Sequence, residues 1–233
     1  MPGENERSFF LGSLLHLSDP TLPIGGYTHS NGLETYVQER VVKDPSTVAA
    51  FTRHMLAYNL KYNDGIFMRL AYEAASAGDP ERLTLLDQEC SALKCAREIR
   101  EASQKLGVRL HKIFCRKNAS GLIDSFAAGI GNEVEGHYCI VFGAYAQHLG
   151  IPLHDALFAF YYNASVGMVT NGVKLVPLGQ LDGQDIMFDL QPLLRQLTEE
   201  TMTLDPALRG ICNVAFDIRC MQHERLYSRL YMS

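Results

Sequence analysis

The sequence predicts an all-α fold, a single-domain bundle of about ten helices, and three observations carry that expectation. Apolar residues recur at helical spacing along most of the 233 residues. No segment sustains the period-two alternation of a half-buried strand. Three Asp-Pro dipeptides, at 44–45, 79–80 and 205–206, each set a side-chain acceptor before a proline. The aspartate accepts from the orphaned first-turn amides, and the proline gives up no bond there, so each dipeptide marks a helix start.

In chain order, helices are expected near 5–17, 30–40, 46–60, 62–77, 80–91, 94–117, 136–149, 153–173, 180–203 and 207–224. The first ends before Ser18–Ser30, where Pro20 and Pro23 forbid a helix and Gly25 and Gly26 open unusual backbone angles. Thr28 or Ser30 then offers a cap for the helix that follows. Asp44-Pro45 starts the third helix, and Gly78 closes a helix just before Asp79-Pro80 opens the next. Tyr138, Phe142, Tyr145 and Leu149 form one apolar stripe. Leu153, Leu157, Phe160, Ala164 and Met168 form another after the Gly150-Ile151-Pro152 break. Leu190, Leu193, Leu194 and Leu197 repeat the rhythm around Pro192, which either kinks its helix or restarts it. The last helix carries Leu208, Ile211, Ala215 and Ile218. Connections are short, with no linker and no internal repeat, so residues 1–233 read as one domain.

Composition removes several classes of function. Hydrophobic residues make up 47% and charged residues 20%, ordinary for a soluble globular chain. A formal net charge of -5 without a Lys/Arg block speaks against nucleic acid, whose phosphates demand clustered positive charge. Between Gly136 and Val173 the sole formal charge is Asp155, but polar residues and the break at 150–152 divide the stretch. It reads as two buried helices rather than a membrane span, which needs about 20 consecutive apolar residues. The polar start, Met1–Arg7, has neither the basic region nor the apolar run of a secretory signal, so the expected location is cytoplasmic. The six cysteines form no C-x-x-C pair and read as reduced core thiols.

Catalytic and metal motifs are thin. The glycine pair at 25–26 precedes a helix, as in phosphate loops, but continues Tyr-Thr-His instead of Lys-Ser/Thr. Gly129-Ile130-Gly131 starts like a dinucleotide loop, yet Val134 takes the third glycine position and no strand precedes it. His111 with Cys115, and Cys220 with His223, could each share a helix face, but a structural zinc site needs four ligands. His223-Glu224 has no second histidine at zinc-protease spacing, and there is no G-x-S-x-G elbow. No enzyme constellation, metal site or cofactor is therefore expected. The tail is less ordinary: Leu226, Tyr227, Leu230, Tyr231 and Met232 alternate with Arg225 and Arg229. Tyr and Arg concentrate at interface hot spots, so residues 224–233 read as a docking tail, seated on a partner or on its own domain, or as an ordinary last helix.

The same unusual segments carry a family resemblance. Leu-Ser-Asp-Pro-Thr-Leu-Pro-Ile-Gly-Gly-Tyr-Thr-His-Ser-Asn-Gly-Leu-Glu-Thr at 17–35 resembles the N-terminal signature of the urease accessory protein family UreF. Asn171-Gly172-Val173-Lys174-Leu175-Val176-Pro177-Leu178-Gly179-Gln180 resembles its late internal motif. The tail from Met221 to Ser233 is similar to the family's C-terminus, especially in Helicobacter-type members. Departures at Gly26 and Asn31 are small, and 75–135 is the least diagnostic stretch.

The resemblance implies a non-catalytic, all-helical homodimer that binds UreD (also called UreH), recruits the GTPase UreG and helps deliver nickel to apo-urease. GTP would be bound by UreG, and nickel would pass in transit at most. Carried over to matching positions, the resemblance makes Gly25, Gly26, Tyr27, His29 and Glu34 the face for the GTPase, with Lys174 on or near it. Arg225, Tyr227, Arg229, Leu230 and Tyr231 are the expected partner-binding residues of the tail. The tail is expected to fold when UreD binds, with Arg229 then bracing the glycine loop near Tyr27. Two rival classes stay open on residue chemistry alone: a small helical hydrolase using scattered His and Glu residues, and a helical dimerisation module outside urease biology.

Overall fold

Local signals set the first long helix where the sequence places it. In the computed structural model, which describes residues 10–118 and 120–233, the Asp44 carboxylate accepts from the Thr47 amide at 2.9 Å and the Thr47 hydroxyl closes the capping box. Asp79 accepts from Arg82 N–H at 2.9 Å in the same way. Eleven α-helices are present among the described residues: α1 (Leu11–Leu17), α2 (Leu33–Gln38), α3 (Pro45–His54), α4 (Ile66–Ser76), α5 (Pro80–Leu93), α6 (Arg97–Phe114), α7 (Gly121–Ala128), α8 (Tyr138–His148), α9 (Leu153–Leu175), α10 (Gln180–Met202) and α11 (Val214–His223). The fold is all-α, with one isolated bridge, Ile130–Val134, in place of any strand. The part of the expected first helix at 5–9 lies outside the described residues.

Three departures from expectation have physical reasons. No break separates 46–60 from 62–77: α3 runs into α4 through a π-wound stretch, Met55–Gly65. The wider winding shifts the apolar phase, which in the sequence resembles a new helix. Helix α7 was not foreseen; it starts where the Ser120 hydroxyl accepts from Ile123 N–H. The third Asp-Pro does cap, with Asp205 accepting from Ala207 N–H at 2.9 Å, but only a 3-10 turn, Pro206–Leu208, follows. Gly210 then takes a positive φ of 76° over the Leu93 side chain, and the helix restarts at Val214. At Pro192 the helix does not restart: α10 runs through it, as the expected helix at 180–203 does.

The core is built around α8, whose residues Cys139–Ala146 are all buried. It lies against α4 and α6, while α9 packs along α10. Gly143 makes the α4–α8 approach possible, because a Cβ there would strike the Met68 carbonyl. The chain entering α8 is pinned by a buried carboxylate: Asp87 accepts from the amides of Glu135 (2.6 Å), Gly136 (3.1 Å) and His137 (2.7 Å). The charge-poor stretch at 136–173 is thus two core helices, and no helix of the described residues is long and apolar enough to cross a membrane. All six cysteines are free, but only Cys90, Cys139 and Cys220 belong to the core. Cys95 and Cys212 are exposed and Cys115 is half-buried, correcting the expectation of six core thiols.

Candidate functional site

The glycine loop is gripped from beneath by two helices. In α9, two turns apart on one face, Asn163 donates to the Ser18 carbonyl and Asn171 to the His29 carbonyl, each at 2.8 Å. From α6, the Arg109 guanidinium donates to the Ile24 carbonyl at 2.9 Å. That guanidinium fills the space a Cβ at Gly25 would need, and Gly25 has a φ of 89°, so glycine is required there on two counts. A second left-handed glycine, Gly32 (φ 80°), lets Phe216 and Cys220 of α11 press against the start of α2. These contacts bring the end of α11, and the tail behind it, over residues 28–34.

The tail then lies along that stretch. Met232 N–H donates to the Thr28 carbonyl at 2.9 Å. The Ser233 carbonyl accepts from the Ser30 amide at 2.6 Å and the Ser30 hydroxyl at 2.8 Å. The Ser233 hydroxyl meets His29 Nδ1 at 2.8 Å, and Gln38 donates to the Ser228 carbonyl at 2.9 Å.

Glu34, in the first turn of α2, is the hub. Its carboxylate is 4% exposed and accepts from the amides of Leu230 (2.7 Å) and Tyr231 (3.1 Å). His223, wholly buried, lies between it and a second carboxylate: Nε2 is 3.1 Å from Glu34 Oε2, and Nδ1 is 2.7 Å from Glu98 Oε2. Carboxylates only accept, so both contacts are hydrogen bonds when the ring carries two N–H protons. Arg229 adds a bond to Glu98 Oε1 at 2.6 Å, and Arg97 pairs with Glu224 at 2.7 Å. Two carboxylates thus face one guanidinium and one imidazole, a buried network with most acceptor positions filled. Burial, with the nearby Lys105 and Arg109 charges, pulls the His29 imidazole down to about 4 despite the opposing pull of Glu98. Its ring is therefore neutral where it meets Ser233.

The expected site residues divide cleanly. Gly25, His29, Glu34 and Tyr231 are buried inside the junction between loop and tail, so Glu34 and His29 are not surface groups. Gly26, Tyr27, Arg225, Tyr227, Arg229 and Leu230 are exposed around it, with Tyr27 at 68% and Leu230 at 72%. Arg229 reaches Glu98 on α6 instead of the glycine loop. Lys174 is exposed in the last turn of α9, one turn beyond Asn171, and among the described residues no hydrogen bond ties it to loop or tail. Sequence reading missed Glu98, Arg109 and Asn163, and named Ser30 only as a cap and Asn171 only as part of the late motif. It weighed His223 only as half of a metal pair with Cys220. No group of three or more His, Cys, Asp or Glu among the described residues could hold a metal ion. Beneath the loop lies a cavity of about 490 Å3, lined among others by Tyr27, His29, Asn59, Asp64 and Lys94. The π winding places Asn59 and Asp64, five residues apart, on its wall.

Tail and glycine loop are thus knitted into one rim of an all-helical chain. The model of the UreF family matches residues 42–191, which leaves the loop and the tail outside the match and takes in the less diagnostic middle. The chain is 52% identical over 224 residues to the urease accessory protein UreF of Haemophilus influenzae (strain PittGG), covering 96% of this chain and 95% of that protein. It is 51% identical to UreF of Actinobacillus pleuropneumoniae serotype 5b (strain L20), over 96% of this chain and 99% of the relative. It is 33% identical to UreF of Bacillus sp. (strain TB-90), over 95% and 98%. The chain belongs to the UreF family of urease accessory proteins.

Proposed function

We propose that this chain is a non-catalytic scaffold for nickel insertion into urease: as a cytoplasmic homodimer it binds UreD/UreH, recruits the GTPase UreG and regulates it, and the assembly delivers nickel to apo-urease. Nickel is cargo in this reading, and GTP is bound by UreG. The observation that supports it best is the composite rim. Tail and loop are joined through Glu34 and Ser30, and Tyr27 on the loop and Tyr227, Leu230 and Met232 on the tail stay exposed. Solvent-exposed aromatic and aliphatic side chains on an ordered support are the material of a hot-spot interface.

A partner that binds the tail also fixes the loop, because the two share hydrogen bonds. The affinities of two partners, one on each, are then coupled by linkage. Tyr27→Ala removes a largely exposed ring that makes no hydrogen bond among the described residues, so the variant should fold normally. In a pull-down it should keep UreD and lose most UreG, at least tenfold; undiminished recruitment would overturn the assignment of the loop to the GTPase.

A further inference from the structure

Away from the rim, two buried sulfurs touch. Cys90, in the last turn of α5, and Cys139, in the first turn of α8, have Sγ atoms 3.8 Å apart and no exposed surface. They are the one pair among the six cysteines recorded in contact. The register is held from the same helix: Asp87, one turn before Cys90, binds the amides of 135–137 just ahead of Cys139. Closing the pair to a disulfide of about 2.05 Å needs the sulfurs to approach by roughly 2 Å.

We propose that Cys90 and Cys139 form a redox-active dithiol, which a peroxide-class oxidant converts into a disulfide joining α5 to α8. The surroundings assign unequal roles. Burial raises the Cys90 thiol, but the Cys139 S–H contact, the Lys94 ammonium and His137 overcome this and pull it down. Burial and the neighbouring Cys90 push the Cys139 thiol up. Cys90 is therefore the thiolate that attacks, and Cys139 the thiol that resolves. The Cys90 thiolate attacks one peroxide oxygen, the O–O bond breaks, and Cys90 becomes a sulfenic acid as hydroxide leaves. Hydroxide takes the Cys139 proton; the Cys139 thiolate then attacks the Cys90 sulfur, forming the S–S bond and expelling hydroxide, which gains a proton to leave as water. Peroxide is the two-electron oxidant throughout. Lys94, whose charge acts on both thiols, is bonded to Asp64 at 2.8 Å, and both line the cavity beneath the glycine loop.

The test uses the full chain with exposed Cys95 and Cys212 replaced by serine, so that they cannot form links between molecules. After hydrogen peroxide treatment, unfolding and alkylation, peptide mapping should find one Cys90–Cys139 cross-link that dithiothreitol reverses. In Cys139→Ser, a dimedone adduct should accumulate at Cys90. Recovery of both cysteines alkylated, or a cross-link from either to Cys115 or Cys220, would overturn the proposal. The mapping on the unaltered pair decides the matter even should Cys139→Ser fail to fold.

Discussion

At the scale of single residues, Glu34 does two things that no neutral side chain can do together. Each oxygen accepts a tail amide, and one also meets His223. In Glu34→Gln one oxygen becomes an NH2 group, which must confront either the Leu230 or the Tyr231 amide. Leaving such a buried donor unpaired costs about 1–3 kcal/mol. Tail amides 230–233 should therefore exchange with deuterium about ten times faster, while amides of α8 keep their protection; unchanged exchange at 230–233 would refute the hub role. His29 makes the same junction acid-sensitive. Its folded imidazole is held near 4, by burial first and then by Lys105 and Arg109. An unfolded histidine titrates near 6.5. Between those values the unfolded chain binds more protons, so stability falls as pH falls from about 6.5 toward about 4. Urea midpoints at pH 7 and pH 5 should differ less in His29→Asn than in the native chain. None of this could be read from the sequence, since Glu34 and His223 are 189 positions apart and no local spacing hints at their pairing.

Whole elements were far more legible, because their signals are local. The Asp44 and Asp79 caps, the glycine loop and the two charge-poor helices all follow from chemistry within a few residues. The short helix α7 was missed although its Ser120 cap is local, while the failure at 207–213 depended on a neighbour distant in sequence. Residues 207–213 have helical spacing, yet Gly210 N–H donates to the Tyr62 carbonyl and the chain turns away to make that bond. The π stretch likewise keeps Asp64 beside Lys94, whose buried ammonium is held charged against the cost of burial mainly by that carboxylate. Packing at α8 gives the sharpest prediction at this scale. Gly143→Val adds a branched side chain where a lone Cβ would already strike the Met68 backbone, so α4 and α8 must part. Overpacking of this kind costs about 1–3 kcal/mol or more. Thermal unfolding should show a loss of several degrees, and a variant as stable as the native chain would mean the two helices are not in close contact.

For the molecule as a whole, the question is how firmly the tail is held to a body that does not need it. The core helices α4, α8, α9 and α10 pack among themselves, and beyond its turn off α11 the tail hydrogen-bonds to the loop, α2 and α6. Nine hydrogen bonds tie residues 224–233 to the loop, α2 and α6. Each returns about 1 kcal/mol net, and more where a charge takes part. Ordering each tail residue costs about 1–2 kcal/mol of backbone entropy, so ten residues on nine bonds leave docking near balance. Docking this close to balance makes the tail a segment that opens readily and that a bound partner would stabilise. Removing residues 224–233 should leave helix content and cooperative unfolding intact, with a change in Tm of no more than about 3 °C, since 1 kcal/mol moves a chain of this size by about 2–4 °C. The same truncation should abolish capture by UreD and raise deuterium exchange at residues 28–34, which lose their cover. A collapse of the whole fold would show that the tail is part of the core, and full UreD binding by the truncated chain would show that the rim is not where that partner sits.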